Sequence, residues 1–117
     1  MIVAAVGCAM IAAGCGTTTV IPSGHQLTVA LTEYRLRPQS VEVTAGDLTI
    51  VAHNYGRLTH NVVILQNGRA QDSMQPIPPG GSDELTVFLL PGRYVLASTV
   101  QSDQALGVYG TLIVRPG

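Results

Sequence analysis

Residues 91–114 contain the pattern that most restricts how this chain can fold, because they predict two β-strands joined by a loop. The first strand follows the Pro91-Gly92 turn and places Tyr94, Leu96 and Ser98 on one side of a two-residue period. The second is a short β-branched and apolar run at residues 111–114. Two glycines punctuate the loop, as is typical of turns and loops. The sequence therefore predicts a C-terminal pair of strands.

The same two-residue period recurs upstream from residue 26. Apolar residues alternate with polar or small ones at 27–32 and 48–53, and shorter apolar runs occupy 41–44, 61–65 and 84–90. Turn signals separate these runs, among them the hairpin-type sequence Gln66-Asn67-Gly68. Residues 69–83 hold three prolines and two glycines, which predicts an irregular loop. About seven or eight short strands without helical periodicity predict an all-β fold, a Greek-key β-sandwich.

Composition restricts the function. A chain of 117 residues is expected to form one domain. Its net charge is −1, and its six basic residues, all arginine, form no cluster in the sequence. Neither nucleic-acid binding nor a polybasic membrane surface is therefore expected. With tryptophan absent and 4% aromatic residues, stacking platforms for bases or sugars are not expected either.

The first 15 residues predict export. Residues 1–14 are apolar and small, too few to span a bilayer as a helix, which needs about 20 residues. They fit a secretory signal, and the sequence before Cys15 resembles the lipobox of bacterial lipoproteins. A buried N-terminal strand or helix is the alternative, but such small residues pack poorly as a core element. We expect a signal peptide with a lipobox-like cysteine at 1–15, a tether at 16–25 and a folded domain at 26–117.

This interpretation also accounts for both cysteines. Cys8 leaves with the signal peptide and Cys15 carries the lipid, so the folded domain contains no thiol and no disulfide. The protein is expected to cross the cytoplasmic membrane and to stay anchored to it. Ten extended tether residues reach at most about 35 Å, which keeps the domain close to the membrane.

The domain resembles the cupredoxins, the plastocyanin-like small blue copper proteins. The resemblance covers residues 26–114 and rests on four pieces of sequence: Pro38 with Val41, the Ala45-Gly46-Asp47 turn, the run NYGRLTHN at 54–61, and PPGGSDELTVFLLPGRY at 78–94. It implies the cupredoxin type of Greek-key sandwich.

The resemblance also implies positions for the copper ligands. His60, followed by Asn61, matches the first histidine ligand of the family. Ser98 stands where the cysteine ligand is expected, Asp103 where the second histidine is expected, and Val108 where the methionine is expected. Because the thiolate gives a blue copper site its affinity, this set predicts that the type 1 copper site has been lost. No cofactor is expected. Copper binding stays open, but a type 1 centre is not expected.

The remaining candidates leave two functions open. In the first, the protein is a binding or structural module whose partner, an unknown extracytoplasmic protein, meets the 69–83 loop, and His60 only ties loops together. In the second, His60 and Asp103 form a weak site for copper or another metal. Met74 is predicted to be a surface packing residue. An enzyme is not expected, because Ser98 lacks a Gly-x-Ser-x-Gly setting and an identifiable base.

Overall fold

The computed structural model describes residues 19–21, 26–100 and 107–117. Cys8, Cys15, His25 and Asp103 lie outside these ranges, so the predictions made for them stay predictions. The described residues form ten strands: β1 (Thr19–Ile21), β2 (Gln26–Thr32), β3 (Arg35–Arg37), β4 (Ser40–Thr44), β5 (Gly46–Asn54), β6 (Val63–Gln66), β7 (Arg69–Ser73), β8 (Ser82–Leu89), β9 (Gly92–Ala97) and β10 (Tyr109–Arg115). No helix in these ranges is long and apolar enough to cross a membrane.

The strands form two sheets. One has four strands in the order β8-β5-β2-β3, and the other has six in the order β1-β4-β10-β9-β6-β7. The pairs β2/β5, β4/β10 and β1/β4 are parallel, and the other pairs are antiparallel. The prediction of an all-β sandwich is confirmed. The strands outnumber the predicted seven or eight because three-residue strands such as β1 and β3 are too short to show a period.

Alternating burial builds the core between the sheets. In β2 the side chains of Leu27, Val29 and Leu31 are buried, and in β5 those of Leu48 and Ile50 are buried, while their neighbours in the sequence face outward. Complete burial of such an aliphatic side chain contributes about 1.5–3 kcal/mol. β10 follows the same rule, since Leu112 and Val114 are buried and Ile113 between them is less so. It pairs with β9 from Gly92 opposite Val114 to Ala97 opposite Tyr109.

The hairpin predicted at Gln66-Asn67-Gly68 is present, but the irregular loop predicted to follow it is partly wrong. Asn67 and Gly68 have φ of 53° and 77°, the positive values that a two-residue hairpin turn with right-handed twist requires. This turn pairs Arg69–Ser73 with Val63–Gln66 as strand β7. The prolines that motivated the prediction of a loop begin only after Met74 and leave the strand undisturbed.

Met74 is part of the core, which corrects its assignment to the surface. Its side chain is buried, and its backbone N–H donates to the carbonyl of Val62 at 2.8 Å. This hydrogen bond continues the pairing of β7 beyond the end of the strand. Met74 therefore packs between the sheets, where its flexible thioether side chain can fill an irregular space.

Part of the predicted tether belongs to the sheet. Thr19–Ile21 pairs in parallel with Val41, Glu42 and Val43 of β4 and forms one edge of the six-stranded sheet. The three residues include two β-branched apolar side chains, and Ile21 is half-buried against the core. The described domain therefore starts before residue 26.

Candidate functional site

His60 lies in the loop between β5 and β6 and is completely buried. Its backbone N–H donates to the Ile77 carbonyl at 3.1 Å, and the Ile77 N–H donates to the His60 carbonyl at 2.6 Å. These two bonds form an isolated bridge ahead of β6, which begins at Val63 and not at Asn61, where a strand was predicted. His60 is thereby joined to the proline-containing segment that follows β7.

Asn54, at the end of β5, holds the same loop from the inside. Its buried side-chain Nδ2 donates to the carbonyls of Leu58 and Ile77, each at 2.8 Å. Its Oδ1 accepts a hydrogen bond from the Gly56 N–H at 2.8 Å. The sequence indicated only a turn at Asn54, yet this one amide fixes both the loop backbone before His60 and the backbone of Ile77, which pairs with His60. The imidazole position is therefore set by packing and by these three backbone hydrogen bonds together.

Glu33 is the site residue that sequence reasoning missed. It lies in the turn between β2 and β3, and its Oε2 is 3.5 Å from His60 Nε2. Since a carboxylate only accepts hydrogen bonds, this contact requires the proton on Nε2. The Arg57 N–H donates to the other oxygen, Oε1, at 2.5 Å. This backbone hydrogen bond, supported by His60, lowers the pKa of the Glu33 carboxyl.

Gly56 makes this arrangement possible. A Cβ added there would collide with the Glu33 carboxylate and would lie 3.1 Å from His60 Nε2. A side chain at position 56 would therefore displace the Glu33 carboxylate from its contact with His60. Glu33 and His60 are separated by 27 positions in the sequence, and nothing in the local pattern connects them. Only the parallel pairing of β2 with β5 brings the two segments to the same end of the sandwich.

Ser98 follows the last residue of β9 and is completely buried. Its Oγ accepts from the Asn61 N–H at 3.1 Å and donates to Asn61 Oδ1 at 3.2 Å. The Thr99 N–H also donates to Asn61 Oδ1, at 2.8 Å. Asn61 therefore links the loop that carries His60 to the end of β9. This contact uses the hydroxyl of Ser98 as both donor and acceptor.

Val108 completes the set of described candidate positions. It is completely buried, and its carbonyl accepts a hydrogen bond from the Ser98 N–H at 3.0 Å. The structure thus brings His60, Ser98 and Val108 to one end of the sandwich, while Asp103 lies outside the described residues. Within residues 19–21, 26–100 and 107–117, no three His, Cys, Asp or Glu side chains are grouped so as to hold a metal ion.

Comparison with solved structures identifies the fold. No family model matches the chain, and no curated protein matches it in sequence. Among solved structures, a dithionite-reduced auracyanin from Roseiflexus castenholzii has a TM-score of 0.73 at 21% identity and covers 78% of this chain and 97% of its own. The domain has a cupredoxin-like fold.

Further cupredoxins agree with this assignment. Reduced rusticyanin has a TM-score of 0.67 at 16% identity and covers 84% of each chain. A purple cupredoxin from Nitrosopumilus maritimus has a TM-score of 0.60 at 19% identity, over 75% of this chain and 98% of its own. At these identities the likeness concerns the fold, and the resemblance expected from the sequence is confirmed at that level.

Proposed function

We propose that this cupredoxin-like domain is an exported, membrane-tethered module that serves a binding or structural role without a type 1 copper centre. The observation that carries the proposal is the state of Ser98 and Val108. Both are buried beside the segment that bears His60, and Ser98 is hydrogen-bonded through its hydroxyl to Asn61. A hydroxyl that stays protonated near neutral pH is a poor copper ligand, and a valine side chain has no donor atom.

The surroundings of His60 support a structural role for this residue. A type 1 site needs two imidazoles and a thiolate, and a weak axial thioether usually completes it. Here the imidazole is buried, and its Nε2 faces Glu33. Glu33 in turn accepts a hydrogen bond from the backbone of Arg57. We infer that His60 joins the loop after β5 to the turn after β2.

Copper titration tests the proposal. We expect the full-length protein to stay colourless when Cu(II) is added, because the described positions supply no thiolate for a charge-transfer transition. The absorbance spectrum is recorded across the visible range, with circular dichroism as a check that the protein is folded. An intense visible band that saturates at one copper per chain would overturn the proposal.

A weak metal site is the second candidate function, and the Glu33–His60 pair is the observation in its favour. An imidazole and a carboxylate lie 3.5 Å apart and together offer one nitrogen and one oxygen donor. Such a site on His60, with Asp103 as a further ligand, would be weak and would prefer Zn(II) or Cu(II) with mixed donors. Thermal melts of a His60 variant separate the two functions, as argued below.

The segment 69–83 is the proposed partner surface. All five side chains of β7 are exposed, and β7 forms one edge of the six-stranded sheet. Edge strands are common sites for strand addition, since their outer backbone groups are open to pairing. Residues 74–81 continue from this strand past His60, where Ile77 is held by hydrogen bonds. A partner bound along β7 would therefore contact a segment that is fixed to the core.

A further inference from the structure

The end of the sandwich that carries His60 exposes several large apolar side chains. We call it the His60 end, defined by the turn at residues 33–34, the loop 55–62 and residues 98–100 and 107–108. These segments touch one another: the Tyr55 N–H donates to the Leu31 carbonyl at the end of β2, and a Cβ at Gly107 would lie 2.6 Å from the Tyr34 carbonyl oxygen. The described residues include seven exposed large hydrophobic side chains, and five lie at this end or on the adjacent strands β1 and β10: Val20, Tyr34, Tyr55, Leu58 and Tyr109.

A cavity of about 640 Å³ opens beside these side chains. Arg35 and Arg37 line it together with Tyr34 and Tyr109. The two arginines are exposed, and they project from the same face of β3 because they are two residues apart. None of the described Asp and Glu residues lines this cavity. The lining of the cavity therefore combines positive charge with amphipathic tyrosines. These residue types are typical of the water–membrane boundary.

The path of the chain places this surface near the proposed anchor. Thr19 also lines the cavity, and it follows Cys15 by four residues. Four extended residues span at most about 14 Å. With lipid on Cys15, the cavity and the His60 end would therefore lie at the membrane surface, whereas Phe88 and Leu90, which follow the pairing of β8 toward Gly46, lie at the opposite end.

We propose that the His60 end docks on a membrane surface containing anionic phospholipids, with Arg35 and Arg37 pairing the phosphate groups and Tyr34 and Tyr109 at the headgroup level. This inference rests on the proposed anchoring through Cys15. Two arginines are too few to hold a free protein on a membrane. Because a short tether makes docking an intramolecular step, a surface with a low affinity for the membrane suffices. Docking turns the face that carries His60 toward the lipid. It leaves β7 and β8 accessible to a partner, because they lie at the far edges of the two sheets.

For the test, the full-length chain is expressed in bacteria. Its distribution between the membrane and soluble fractions is measured first. Protein from the membrane fraction is reconstituted into vesicles of phosphatidylcholine alone or with phosphatidylglycerol, and hydroxyl-radical footprinting is read by mass spectrometry. We expect protection of Tyr34 and Tyr109 in the vesicles with phosphatidylglycerol only. Phe88 is the internal control, because it is 69% exposed, close to the 65% of Tyr34, and lies at the opposite end. Its reactivity should be equal in both vesicles.

Variants test the arginines. Arg35→Gln with Arg37→Gln should lower the ratio of docked to undocked protein about 25-fold, at about a fivefold effect per arginine, and remove the protection of Tyr34. The matched control is Arg69→Gln with Arg93→Gln, which removes the same charge from exposed positions away from the cavity. This control should keep the protection.

The outcomes separate the two proposals. Protein that is anchored but unprotected overturns the docking and leaves the anchoring intact. Protein found only in the soluble fraction overturns the anchoring, and the docking falls with it. Equal protection in both vesicles overturns the role of the anionic headgroup. Protection by inorganic phosphate added to the phosphatidylcholine vesicles would show a small-anion site and also overturn docking.

Discussion

His60 is the residue at which the two candidate functions separate. If it ties loops together, His60→Ala leaves the Glu33 carboxylate without one partner and opens a cavity, so we expect a loss of about 1–3 kcal/mol of unfolding free energy. The loss should be the same in chelator and in Zn(II) or Cu(II), as measured by thermal and denaturant melts. The control His53→Ala, on the half-exposed face of β5, should change stability by about 0.5 kcal/mol or less. A melting temperature that metal raises in the parent and not in His60→Ala would instead support the metal site.

Glu33 predicts a specific dependence of stability on pH. Its pKa is lowered in the folded protein, chiefly by the Arg57 N–H, from a reference value of 4.5. The folded state therefore gains stability from ionised Glu33 above that reference value, and loses this gain as the pH falls through the lowered pKa. We expect Glu33→Gln to be less stable than the parent near neutral pH and the difference to shrink in acid. Urea melts from pH 7 downward measure this, with Glu84→Gln on the exposed face of β8 as the control. A constant difference across that range would contradict the assignment.

At the scale of elements, the loop between β9 and β10 is held against the turn between β2 and β3. Gly107 has a φ of +111°, which side-chain-bearing residues rarely adopt, and an added Cβ would lie 2.6 Å from the Tyr34 carbonyl oxygen. Gly107→Ala is therefore expected to cost about 1–3 kcal/mol from strain, and more from the collision with backbone. Gly68→Ala is the control, since its φ is +77° and nothing lies within 4 Å of the added Cβ. Chemical denaturation of both variants gives the comparison, and an equal cost at the two positions would show that the contact with Tyr34 is loose.

At the scale of the whole molecule, β1 is the first described strand and forms one edge of the six-stranded sheet. The anchoring proposal makes Cys15 the attachment point, so Cys15→Ser should move the protein out of the membrane fraction or block removal of the signal. Cys8→Ser is the matched control and should do neither. Fractionation and intact-mass analysis of both variants measure this. The same distribution and mass shift for the two variants would count against lipid on Cys15.

Much of the fold follows from local pattern in the sequence. The alternation at Leu27, Val29 and Leu31 predicts a half-buried strand because a strand has a period of two. The Asn67-Gly68 turn predicts a hairpin because positive φ is accessible to these residues. The resemblance through residues 54–61 and 78–94 predicts the sandwich type, and the likeness to auracyanin agrees.

The edge strand β1 and the contacts around His60 could be seen only in the tertiary structure. The pairing of β1 with β4, and the contact between Glu33 and His60, depend on segments far apart in the sequence. Strands as short as β1 and β3 carry too few residues to show a period, and whether they form depends on the strand that they pair with. Ser98 illustrates the same limit at the site: its residue type predicts a poor metal ligand, but its double hydrogen bond to Asn61 exists only because folding places the end of β9 beside the loop after β5. These contacts depend on long-range packing, which no local sequence pattern encodes.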